Sequence, residues 1–84
     1  MPMANASTEL LAAHLWDLRA AGEAKLRCLT RVQQMLTEYG NLTDSSVRME
    51  RRTKIIEDLT DVVSITGRLQ STSAEALAAA QLLE

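Results

Sequence analysis

A chain of 84 residues with 46% hydrophobic residues, no phenylalanine and one tryptophan and one tyrosine allows a single small domain whose core is poor in large side chains. Its net charge of −2 lacks the basic surplus of a general nucleic-acid binder, and no apolar run approaches the ~20 residues of a membrane span. Cys28 is the only cysteine, so a core worth ~3–5 kcal/mol has no disulfide to staple it, and cytoplasmic residence is expected.

The first residues, Met1-Pro2-Met3-Ala4-Asn5-Ala6, have neither the basic start nor the apolar centre of a signal peptide. Without export, the glycosylation patterns at Asn5-Ala6-Ser7 and Asn41-Leu42-Thr43 carry no weight. Ser7 and Thr8, followed by Glu9, supply the oxygens and negative charge that suit a helix start, and the spacing predicts a helix over 8–39. Leu11, Leu15 and Leu18 are followed by Leu26, Leu29, Val32, Leu36 and Tyr39. Leu15 to Leu26 and Leu18 to Leu29 are steps of eleven that bridge Gly22 and Lys25, a pattern that favours a straight helix over a steady supercoil. Trp16 falls about 140° from Leu11 and Leu29, on the far side of this helix, with Ala12, Ala20 and Ala24 at four-residue steps beside it.

Gly40 stands where a left-handed residue would close the helix, which predicts a turn over 40–43, with Asp44 or Thr43 capping a second helix over 44–70. In that helix Ile55, Leu59, Val62, Thr66 and Leu69 step by four and three. Ile56 and Val63 widen the apolar arc to about 200°, more than one neighbouring helix covers, while Glu50, Lys54, Glu57, Asp61, Ser64 and Arg68 line the other side. Folding about Leu42 sets Leu29 near Ile55, Gly22 near Val62, Leu18 near Thr66 and Leu15 near Leu69. Leu15, Leu18, Leu29, Ile55, Leu59, Val62 and Leu69 are then the expected core, with Gly22 letting the helices approach closely. Ser71-Thr72-Ser73 interrupts the pattern ahead of the alanine-rich end. Either a short third helix spans 73–83 or the second continues, and three consecutive hydroxyl residues favour a partial break. The fold expected for residues 1–84 is one all-α domain, an antiparallel, coiled-coil-like helical hairpin.

The residues with chemical potential do not assemble into a catalytic set. His14 and Cys28 lie about 21 Å apart on one helix, too far to share an ion. No nucleophile and base can be paired, and Arg19, Lys25, Arg27, Arg31 and Gln70 match the residue types but not the spacing of the helical chorismate mutases. No enzyme activity, cofactor, metal, membrane or small-molecule substrate is therefore expected. The expected partner is a protein or a second copy of the chain. Candidate contacts are Ala12, Trp16, Ala20 and Ala24, the uncovered Ile56 and Val63, and Arg48, Arg51 and Arg52. These arginines either grip a partner's carboxylates or reach Glu38 of the same chain. Trp16 is covered either by a third helix folding back or by the partner.

The stretch from Leu10 to Leu69 resembles the small helical-hairpin co-chaperones of type III secretion needle subunits. The likeness lies in a first helix of about thirty residues, a Gly-containing turn, the polar start Arg51-Arg52-Thr53-Lys54, and the apolar run Ile55 to Ile65 ending at Gly67-Arg68-Leu69. The segment after Leu69 departs from the short family members. The resemblance implies a hairpin that docks on a helical-repeat co-chaperone and helps to keep a needle subunit unpolymerised. The same residues also suit a structural or adaptor subunit of a homomeric or heteromeric helical bundle.

Overall fold

The computed structural model describes the backbone of residues 2–84 and the side chains from Ser7 onward, so the reading of the first six side chains, including Asn5, lies outside the described residues. Two helices, α1 (Pro2–Asn41) and α2 (Ser45–Gln81), lie antiparallel as one hairpin, and there is no strand among the described residues. The hairpin is a rod of 65 × 15 × 13 Å. Its radius of gyration is 18.9 Å, where a compact domain of this length would show about 12 Å. Ser7 and Thr8 lie inside α1 and not at its start, since the residues from Met3 to Ala6 contain no helix breaker.

Burial marks a seam with a strict seven-residue repeat. In α1 the buried or half-buried positions recur at Leu11, His14, Leu18, Ala21, Lys25, Cys28, Val32, Met35 and Tyr39. In α2 they recur at Arg48, Arg51, Ile55, Asp58, Val62, Ile65, Leu69, Thr72, Ala76 and Ala79. Alternating steps of three and four with no interruption are the signature of knobs packing into holes along a left-handed supercoil, which replaces the expected steps of eleven. Ala21, Cys28, Ala76 and Ala79 are the buried apolar residues among those described, and no large side chain is fully buried.

This seam corrects the expected core. Leu18, Ile55, Val62 and Leu69 lie on it, but Leu15 is 53% exposed and Leu59 41%, and Leu29 is half-buried on its edge. The eleven-residue steps joined two different stripes, because His14, Lys25 and Asp58 occupy seam positions where an apolar repeat gives no signal. The pairing shifts with it. Among the described residues three ion pairs cross between the helices, Arg31 to Asp58 at 3.2 Å, Arg51 to Glu38 at 2.7 Å and His14 to Glu75 at 3.6 Å, and all are centred between Asp44 and Ser45. Each α1 residue therefore meets α2 several positions further along than a fold about Leu42 would give. Gly22 is not a point of close approach, since a Cβ built on it would meet nothing within 4 Å.

The reversal is made by Leu42-Thr43-Asp44, not by Gly40, which continues α1; no glycine among the described residues has a positive φ. Asp44 caps α2 as expected, its carboxylate accepting from the backbone N–H of Ser46 at 2.9 Å and Val47 at 3.2 Å. At the other end of the turn the Leu42 N–H donates to the Tyr39 carbonyl at 3.2 Å. The Leu42 carbonyl accepts from the Arg48 guanidinium at 2.8 Å, and that guanidinium also lies 4.4 Å from the centre of the Tyr39 ring. An arginine from the next helix thus does what a left-handed glycine does elsewhere: it satisfies a carbonyl that the helix end leaves free. Arg48→Ala should cost about 2 kcal/mol, adding a charged hydrogen bond to a half-exposed cation–π contact. Asp44→Ala should cost about 1 kcal/mol. Thermal melts of the two variants check both, and an Arg48→Ala melt equal to the parent's would remove the bracket from the account of the turn.

Among the described residues no third helix forms; α2 runs through Ser71-Thr72-Ser73 to Gln81, and the Leu82 and Leu83 N–H groups close it onto the Ala79 and Ala80 carbonyls. Thr72 lies half-buried on the seam, and the deepest-packed residues of α2, Ala76 and Ala79, follow it. Continuing the helix keeps those contacts, and tertiary packing overrides a weak local preference. Thr30, Thr37, Thr53 and Thr60 show how the chain carries hydroxyls inside helices, each donating to the carbonyl four residues earlier.

Candidate protein-binding surface

The seven-residue repeat divides the outside of the hairpin into two flanks. In an antiparallel pair the residues just after the second seam position of each heptad, with those three further back, fall on one side; their counterparts fall on the other. The first flank carries Leu15, Gly22, Leu26, Leu29 and Leu36 from α1 and Met49, Ile56, Leu59, Val63, Thr66 and Leu77 from α2, and its charged residues are Arg19 and Arg52. The second flank carries Asp17, Arg27, Arg31 and Glu38 from α1 and Glu50, Lys54, Glu57, Asp61, Arg68 and Glu75 from α2. The three ion pairs between the helices draw Arg31, Glu38 and Glu75 from this second flank.

The apolar flank is open. Leu26 is 64% exposed, Leu36 59%, Met49 71%, Ile56 45% and Val63 73%. Single exposed leucines are ordinary, whereas a stripe running most of the length of a rod is not. The stripe also accounts for the leucines expected in the core but found outside it: Leu15 and Leu59 stand on this flank.

The sequence-derived candidates separate on this geometry. Ile56 and Val63 stand on the apolar flank, and Arg52 is exposed beside them. Arg48 and Arg51 are engaged within the chain, by Leu42 and Tyr39 and by Glu38 respectively. Glu50 pairs with Lys54 at 3.8 Å, but Asp58 turns into the seam to Arg31. That pairing, by its hydrogen bond first and its charge second, raises the Arg31 pKa above the ordinary arginine value. Trp16 is 73% exposed on the back of α1, in a depression of about 270 Å³ that it lines with Arg19, Ala20 and Glu23. Ala12 and Ala20 are exposed beside it and Ala24 is half-buried. Because the C-terminal segment continues α2 along the seam and does not cover Trp16, the indole should emit as a solvent-exposed tryptophan in the dissociated chain, and Trp16→Ala should leave the melt within about 0.5 kcal/mol. Blue-shifted emission at the lowest measurable concentration would show that the indole is covered.

Sequence reasoning missed the flank formed by Leu15, Leu26, Leu29 and Leu36, although its signal was present: these leucines keep out of step with Leu11, Leu18 and Val32. A second depression of about 390 Å³ is lined by Leu26, Arg27, Thr30 and Arg31. Neither depression sets a nucleophile beside a base. Among the described residues no three His, Cys, Asp or Glu side chains gather where they could hold a metal ion, and no helix is long and apolar enough to cross a membrane. Comparison with protein-family models, with curated proteins and with solved structures finds no match to this chain.

Proposed function

We propose that this chain is a non-catalytic protein-binding hairpin, which uses its apolar flank to hold a protein in a helical bundle as a small chaperone or co-chaperone subunit does. The observation that carries the reading is the asymmetry of the two flanks: one is a ladder of exposed Leu, Ile, Val and Met with Arg19 and Arg52 as its charges, the other a charged, solvated face. Apolar side chains held in a fixed row on a rod suit the ridges of another helix, which is how amphipathic helices are recognised. The likeness to needle-subunit co-chaperones belongs to this proposal. On it the hairpin works in the cytoplasm beside a helical-repeat protein, with no cofactor and no small-molecule substrate.

The full chain isolated from its native source should carry a bound protein, identified by mass. That protein should be lost from a Leu26→Lys/Val63→Lys variant and kept by a Gln34→Lys/Ser64→Lys variant, which adds the same charge at exposed positions of the charged flank. Equal retention by both variants would overturn the reading. If Trp16 adds to the contact from the back of α1, Trp16→Ala weakens the complex by about 2 kcal/mol without loss of helix.

A further inference from the structure

We infer that the occupant of the apolar flank is a second copy of this chain, so that two hairpins close into a four-helix bundle. The inference rests on the binding role of that flank and names its partner. Area is the first argument. A globular monomer of 9.2 kDa exposes about 4,900 Å², whereas this chain exposes 6444 Å². Covering the excess on each of two chains buries ~3,000 Å² in total, within the range of obligate dimers.

Width is the second argument. The flank spans both helices, with Leu26 on one outer edge and Ile56 and Val63 on the other, so a single helix lying along the middle leaves those edges in water. A second hairpin has the required two-helix width, the same length and the same shortage of charge. A copy related by a two-fold axis across the rod lays this stripe against itself. The result is an isologous, closed interface, the commonest symmetry among homo-oligomers.

Sedimentation equilibrium of the full chain tests it directly. At about 100 μM, far above a micromolar Kd, the mass should be twice the 9.2 kDa of one chain. Leu26→Lys/Val63→Lys should weaken the dimer by at least ~30-fold, since each lysine buries a charge in the interface. Gln34→Lys/Ser64→Lys, at two exposed positions of the charged flank, should leave the dimer intact, and circular dichroism should show all three chains helical. A chain that stays monomeric overturns the inference. If its apolar flank still captures a different protein, the binding role survives and only the identity of the occupant falls. If Leu26→Lys/Val63→Lys changes neither the mass nor the captured protein, both fall.

Discussion

Leu18→Ala and Ile55→Ala should each lower the stability of the dissociated chain by about 2 kcal/mol, the low end for leucine and isoleucine truncation because both are half-buried. They sit on the seam well apart along the rod, so their effects should add. Together they remove about 4 kcal/mol, on the order of everything a core of this size supplies, and the double variant should be largely unfolded at 25 °C. Leu15→Ala and Leu59→Ala, on the apolar flank, should together cost less than about 1 kcal/mol at the same dilution, because both residues are exposed in the single hairpin. Urea melts of the two double variants at low concentration separate the cases. Equal losses from the two pairs would mean that the leucine stripe, not the small-residue seam, holds the helices together.

The opposite sign is expected at the glycines. Gly22, Gly40 and Gly67 all lie inside helices, none has a positive φ, and a Cβ on any of them would meet nothing within 4 Å. Each then carries the entropic cost of a helical glycine with no steric return, so Gly→Ala should stabilise by about 0.5–1 kcal/mol per site. The triple variant should gain about 2 kcal/mol and melt roughly 10 °C higher. Gly22 also informs on the assembly, because it lies on the apolar flank. If Gly22→Ala stabilises the dissociated chain but weakens association, the partner approaches the backbone there. A drop in the melt of the Gly67→Ala chain at every concentration would contradict the open space around that residue.

The hairpin is legible because two long helical patterns flank a segment rich in helix-start signals, and of the two caps the sequence offers, Asp44 and Thr43, it is Asp44 that caps α2. The helix ends were less legible. Gly40 carries the usual stop signal, yet α1 runs on to Asn41, and the carbonyl at its actual end, that of Leu42, is held by the Arg48 side chain, a contact that no stop signal encodes. The hydroxyl run at Ser71-Thr72-Ser73 suggested a break for a local reason, and packing at Ala76 and Ala79 outweighed it. The register was misread because leucine is the loudest apolar residue and here stands mostly beside the seam. His14, Lys25, Asp58, Arg48 and Arg51 on the seam are polar, and Ala21, Cys28, Ala76 and Ala79 are small, so hydrophobicity pointed at the flank. The exposed Ile56 and Val63 were nevertheless found, because an apolar arc wider than one neighbour can cover shows in sequence whichever part of it faces inward.

The uninterrupted seven-residue repeat also limits how the chain can change length. Inserting or deleting one residue within α1 or α2 turns everything beyond it by about 100° around the helix axis. The seam on that side would then present flank residues to the partner helix, and the ion pairs centred between Asp44 and Ser45 would lose their register. Whole sevens preserve the facing of every later residue, and if added equally to both arms they lengthen the rod without disturbing its cross-section. Between the arms, the stretch from Leu42 to Asp44 has no seam to keep in phase, but the Arg48 side chain must still reach back to the Leu42 carbonyl. Relatives of this chain that differ in length should therefore differ by heptads within the arms, beyond the ends of the paired region, or at the reversal where Arg48 has been exchanged for another way of satisfying that carbonyl.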